Sequence, residues 1–174
     1  MKTFDVIALG ELNVDLILNR IAGFPEVGKE IFARDMICTL GSSTAIFAAN
    51  VSALGARTAF AGMIGRDAFG ELVRGSLEAR GVDTRYVIEA ADRATGVTVV
   101  MSYGEDRANV TYPGAMEALR FADLDPEIFL SARHIHLSSL FMQPGLLADI
   151  VPILRAAHDG GATVSLDTQW DPAE

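Results

Sequence analysis

An apolar run over residues 4–10 leads into two close polar side chains, Asn13 and Asp15, within Gly10-Glu11-Leu12-Asn13-Val14-Asp15. A carboxylate accepts hydrogen bonds and an amide both donates and accepts, so the pair can share the hydroxyls of a polyol. Asn and Asp also favour turns that hold no ligand. A second stretch favours the sugar reading. Gly41-Ser42-Ser43-Thr44-Ala45 opens straight into the apolar run 46–54, which Gly55 closes. A turn of small residues at a helix start points backbone N–H groups, here with the hydroxyls of Ser42 and Ser43, at whatever sits there. The same residues also make an ordinary capped helix start that needs no ligand.

Other residues have chemistry in reach. Asp167 ends the last predicted strand, where an acid can serve the phosphate or metal-water side of a site, or simply begin a turn before Trp170-Asp171-Pro172. Tyr103 and Tyr112 flank a predicted hairpin and can stack on a substrate or pack within a sheet. His134 and His136 fall on one face of a strand. With no Cys or carboxylate close in sequence, they are expected to be core or interface histidines, and no metal site is expected. Asp67 reads as a helix N-cap and Arg66 as a surface cation.

Several mechanisms lack their motifs. The chain carries no Gly-x-x-x-x-Gly-Lys-Ser/Thr, no Gly-x-Gly-x-x-Gly after the first strand and no Gly-x-Ser-x-Gly. Its 14 basic and 23 acidic residues give a formal charge of −9, a poor surface for nucleic acid. Cys38 is alone, which excludes an internal disulfide and a cysteine zinc cluster. Residues 1–5 have no signal-peptide layout, and no apolar run approaches the ~20 residues of a membrane helix. A cytoplasmic protein is the expectation. Half of the 174 residues are hydrophobic and 21% are charged, enough for one packed domain.

The elements that must hold these residues follow from pattern. Strands are predicted at 4–10, 58–65, 134–140 and 163–167, and a hairpin at 97–103 and 108–112 across Gly104-Glu105-Asp106-Arg107. Helices are predicted at 43–54, from Asp67 to Gly81 on the spacing of Phe69, Leu72, Val73 and Leu77, at 126–132, and at 144–159. Alternating strands and helices argue for an α/β fold with a largely parallel sheet flanked by helices. Segments 15–21 and 30–40, separated by the turn residues 23–28, interrupt that rhythm and suggest a small separate flap.

Taken together, Gly10 to Asp15, the flap segments, Gly41 to Leu54, Gly62 to Gly70, Thr95-Gly96-Val97, Tyr112-Pro113-Gly114-Ala115 and His134 to Leu140 resemble the PfkB, or ribokinase-like, carbohydrate kinases. The resemblance covers nearly the whole chain and rests on motif order and spacing. It implies a ribokinase-like fold whose β lid is formed by 15–21 and 30–40. It implies ATP- and Mg²⁺-dependent phosphorylation of a sugar, sugar-acid or nucleoside hydroxyl. Asn13 and Asp15 match positions that hold substrate hydroxyls, with Gly41, Ser42 and Ser43 beside them, and the lid is a place for a homodimer contact. Two departures stand out. The family's glycine pair is here Gly41-Ser42, and its Asn in the following helix start is Ile46, which cannot supply that hydrogen bond.

These kinases resemble one another most in a later Gly-Ala-Gly-Asp segment that carries the base and the phosphate cradle. The resemblance therefore implies a catalytic base beyond Glu174, the last residue of the chain, and none within it. The expectation is a partial kinase domain over residues 1–174, incomplete on its C-terminal side. It would hold the substrate and lid half and be inactive alone. A non-catalytic sugar-binding or interaction module, or a nucleotide-binding α/β domain of another class, are the alternatives.

Overall fold

A computed structural model describes residues 2–171 of the chain. Its frame is a five-stranded, all-parallel sheet in the order β5-β4-β1-β8-β9. These strands are β1 (Phe4–Leu9), β4 (Thr58–Gly65), β5 (Asp83–Ala90), β8 (Ala132–Ser138) and β9 (Thr163–Asp167). All eight residues of β4 are buried, the mark of a strand covered on both faces. Ile7 and Leu9 of β1 join Ala59, Ala61, Met63, Ile135 and Leu137 in one core. Ala8, pointing the other way, joins Phe60 and Ile64 in a second.

Helices cover both faces. α1 (Ser43–Ala53) lays the small residues Thr44, Ala45, Ala48 and Ala49 against the sheet, which lets it approach closely. Ser42 caps it, its Oγ accepting from Ala45 N at 2.9 Å, and Gly55 leaves it at φ +94°. α2 (Ala68–Glu78) starts at Asp67, whose carboxylate accepts from Gly70 N at 2.8 Å, and buries Val73 and Leu77. On the opposite face lie α3 (Glu127–Ser131), α4 (Pro144–Ala148) and α5 (Ile150–Asp159). One helix over 144–159 is therefore a wrong expectation. Pro152 forbids it, because its ring would meet the Ala148 carbonyl and it has no N–H to give that carbonyl. The chain breaks at Asp149 instead.

A second sheet, ordered β3-β2-β6-β7, stands apart. It contains β2 (Asn13–Asn19), β3 (Asp35–Leu40), β6 (Gly96–Tyr103) and β7 (Asp106–Tyr112). The β lid is thus larger than expected, since the hairpin joins it through parallel pairing of β2 with β6. It is also shorter in two places, because residues 20–21 and 30–34 are not strand. The strand predicted at 134–140 stops at Ser138. Ser139 turns into the left-handed region and Leu140–Met142 forms a 3₁₀ turn. β5 has no counterpart among the sequence expectations. Asp83, Arg85 and Glu89 dilute its apolar alternation, as suits a strand at the sheet's edge. Among the described residues no helix is long and apolar enough to cross a membrane.

Candidate functional site

The two sheets are joined by the short step from β1 to β2. Gly10, Glu11 and Leu12 are buried there, and a cleft of about 340 Å³ opens beside them. Its walls come from the start of β2, the start of α1, the turn after β8, and the lid strands β6 and β7. This is the carboxyl end of the parallel strands, where an α/β sheet leaves room for ligands.

Asn13 and Asp15, two apart on β2, face the cleft together. Asn13 Nδ2 donates to Asp15 Oδ1 at 3.0 Å and to Thr98 Oγ1 at 3.1 Å, and Thr98 lies 3.0 Å from Thr111 Oγ1. Burial pushes the Asp15 carboxyl above the ordinary carboxylate range, while the Asn13 hydrogen bond and the charge of Arg107 pull the other way. Its protein partner is Asn13 at Oδ1, so the rest of its acceptor capacity is open to a ligand. Gly41 lets the two walls meet. A Cβ there would come within 2.6 Å of Asn13 Nδ2 and closer still to Asp15 Oδ1. Ser42 and Ser43 line the cleft, but Ser42 Oγ is committed, donating to Glu11 O at 2.7 Å and capping α1. Ile46 also lines the wall and offers no polar atom there.

The five residues Asn13, Asp15, Gly41, Ser42 and Ser43 therefore converge. Tyr103 does not. Thr98 and Val100 point into the cleft, so by alternation Tyr103 points to the other face of β6, where it stands edge-on to Phe24 with ring centroids 6.4 Å apart. Asp167 sits at the correct end of β9 but outside the cleft. Its carboxylate accepts from Gln169 N at 3.0 Å and from Gln169 Nε2 at 2.8 Å, while its carbonyl takes Ser139 N at 3.0 Å. His134 and His136 share Ser165 Oγ at 2.8 Å each, and His136 stacks on Phe47 at 3.8 Å. Glu174, with the catalytic base expected beyond it, lies outside the described residues.

Glu11 is absent from the sequence expectations although it stands inside the motif that carries them. It is 3% exposed and its carboxylate gathers Ser43, Thr44 and Gln143. Arg107, Asn109, Thr98 and Thr111 were also missed as cleft residues. Period-2 alternation along the hairpin gives their common face, but only once β6 is known to pair with β2. Ser139 carries no sequence signal; the left-handed backbone after β8 brings it in.

Among solved structures, a fructokinase with bound ATP from Xylella fastidiosa overlays 98% of this chain with a TM-score of 0.81 at 24% identity. A PfkB protein from Polaromonas sp. overlays 98% at 0.83 and 22%. Those overlays cover 53% and 57% of the respective neighbours. The fold is thus ribokinase-like, a mainly parallel sheet flanked by helices, and this chain forms part of it. A probable fructokinase-3 of Arabidopsis thaliana is 35% identical over 133 residues, 73% of this chain and 38% of that protein. A nucleoside kinase of Methanothermobacter thermautotrophicus is 29% identical over 136 residues, 78% of this chain and 44% of that protein. The chain spans about half the length or less of these relatives. A model of the pfkB family of carbohydrate kinases matches residues 3–174. With the two-sheet frame and the Asn13–Asp15 cleft at its joint, the chain belongs to the pfkB family of carbohydrate kinases.

Proposed function

We propose that this chain forms the acceptor-binding and lid half of a kinase that transfers a phosphoryl group from ATP to a hydroxyl of a sugar, sugar acid or nucleoside. The observation that carries the reading is the half-buried Asp15 carboxylate. Asn13 holds it, Arg107 faces it across the cleft, and it keeps acceptor capacity for a polyol. Hydroxyls of the acceptor would donate to Asp15 and exchange hydrogen bonds with Asn109, Thr98 and Ser139, while Met116, Met142 and Val100 cover its apolar faces. The two sheets hold the acceptor in one orientation, which is most of what a protein contributes to phosphoryl transfer apart from charge stabilisation.

ATP and Mg²⁺ find less here. Among the described residues no group of three His, Cys, Asp or Glu converges on a metal, and Arg107 is the one cation lining the cleft. These residues do not fit a magnesium–triphosphate site, so they are assigned to the acceptor side alone. We further propose that the exposed apolar side chains of the lid are covered by the lid of a second copy.

The test is calorimetric titration of the full chain with fructose, ribose, a nucleoside and an aldonic acid, beside an ADP-release assay with ATP. Saturable binding of at least one acceptor, lost in Asp15→Ala, supports the reading. Binding without ADP release assigns the chemistry to groups outside the described residues. No binding of any acceptor overturns it.

A further inference from the structure

Beneath the cleft, a chain of hydroxyls ends on a buried acid. Glu11 is 3% exposed, and every contact its carboxylate makes is with a potential donor. Thr44 N lies at 3.2 Å, Ser43 Oγ at 3.0 Å and Gln143 Nε2 at 3.3 Å, and Thr44 Oγ1 completes the set. Ser43 Oγ is in turn 2.7 Å from Ser138 Oγ and 2.8 Å from Ser139 Oγ. The Gln143 amide also ties down the carbonyls of Ser138 and Ser139, at 2.9 and 3.2 Å.

A proton count gives this chain a direction. A hydroxyl has one proton and two lone pairs. Ser43 spends its proton on Glu11, so it can only accept from Ser138 and Ser139. Ser139 then turns its proton inward. The face it presents to the cleft, which it lines, carries lone pairs. Ser139 is itself held at φ 53° and ψ 40°, a left-handed conformation that a residue with a Cβ adopts at a cost. The 2.8 Å bond to Ser43 holds its hydroxyl as well as polarising it.

We propose that Glu11 is a positioning residue that sets the polarity of the Ser43–Ser139 chain, so that the cleft offers an acceptor at Ser139 and selects a ligand hydroxyl that donates there. The ligand half of this rests on the polyol reading of the cleft; the chain of hydroxyls does not. Glu11→Gln keeps the shape but removes the charge, so the hold on the Ser43 proton weakens and the direction of the chain is less strongly set.

The experiment has two arms. In the first, the full chain and its Glu11→Gln, Ser43→Ala and double variants are unfolded in urea. Each single change is expected to lower the midpoint, with the double variant little worse than Glu11→Gln alone. Additive losses, or a neutral Glu11→Gln, overturn the chain. In the second, the affinities of fructose and its monodeoxy and monodeoxyfluoro derivatives are measured. Fluorine accepts weakly and cannot donate. At one ring position the fluoro and deoxy sugars are therefore expected to lose equally, by about three- to tenfold. In Glu11→Gln that gap is expected to shrink, while discrimination at the other positions stays. If Glu11→Gln fails to fold, Ser139→Ala takes its place, since Ser139 makes no bond to Glu11, and the same gap is expected to close. A fluoro sugar bound as well as the parent at every position overturns the assignment of Ser139 as acceptor. A wild-type chain that binds neither these sugars nor ribose, a nucleoside or an aldonic acid overturns the polyol reading and this role in it, and the urea arm still decides the hydroxyl chain.

Discussion

Asp15 is a residue whose surroundings disagree about its charge. Burial disfavours the carboxylate, and the Asn13 hydrogen bond and Arg107 only partly offset that. The sign of the consequence is definite. The folded-state pKa lies above the unfolded one, so the folded chain binds this proton more readily. Asp15's contribution to stability is greatest below the unfolded pKa and is lost as pH rises through the folded pKa. Binding runs the opposite way, because only the ionised carboxylate accepts with all its lone pairs. Asp15→Ala is expected to weaken polyol binding by about 1–3 kcal/mol without lowering the urea midpoint, a pairing that calorimetry and denaturation together check. In the wild type, affinity should fall as pH is lowered through the raised pKa, and the Asp15→Asn variant should show a flat profile. A pH-independent wild-type affinity would exclude Asp15 from ligand contact.

At the level of elements, Asp67 joins the two sheets. One carboxylate caps α2 through Gly70 N at 2.8 Å and takes Thr95 N at 2.8 Å and Thr95 Oγ1 at 2.7 Å, just before β6 enters the lid. Burial alone would raise its pKa, but the hydrogen bonds from Thr95, Gly70 and Phe69 outweigh it and hold the group low. It therefore adds stability above the unfolded pKa that is lost as pH falls through the lower folded one. Asp67→Ala is expected to cost about 1–2 kcal/mol by urea denaturation, the range of a lost helix cap, with the difference from wild type vanishing in acid. Gly41 is the complementary case. Gly41→Ala drives a methyl into Asn13 and Asp15, so binding should fall even where circular dichroism stays native. The cap and the turn are legible in the sequence, while the Thr95 bonds of Asp67 and the close approach of Gly41 to Asn13 and Asp15 are not. Asp67 before Phe69-x-x-Leu72-Val73, and Gly41 before two serines, are visible as cap and turn. Local patterns of this kind also gave β1, β4, α1 and α2 nearly to their ends. Position 152 had a visible signal as well, but its effect on a helix is felt four residues upstream, at Ala148. What stayed hidden depends on pairing between distant strands. Nothing within residues 96–112 says that β6 lies beside β2, and so Thr98, Asn109 and Arg107 could not be placed in the cleft, nor Tyr103 placed out of it.

The whole molecule has a buried sheet and a less buried one. The parallel sheet is covered on both faces by two hydrophobic cores. The lid sheet is anchored at its base, where Val14, Leu40 and Val97 pack with α2, and farther out it keeps apolar side chains in water. Met36 is 65% exposed, Ile37 50%, Val110 60% and Tyr112 56%. Met36 and Ile37 are adjacent on β3 and point to opposite faces, so both sides of the lid are affected. β3 and β7 are also its outer strands, each pairing on one side only among the described residues. Exposed edges with apolar side chains favour contact between chains. A second copy using the same surface twice satisfies both features and closes the assembly by two-fold symmetry. Sedimentation equilibrium of the full chain is expected to show twice the 18.6 kDa mass of one chain. The double variant Met36→Lys, Ile37→Glu should return it to one copy while the far-ultraviolet spectrum is kept. Among the described residues β9 is also an edge strand, and its own Leu166, 41% exposed, offers a competing contact. The two are separable, because association through β9 would survive the lid variant and respond to Leu166→Lys. A wild-type chain that sediments as a single copy at every concentration would remove the lid as an interface.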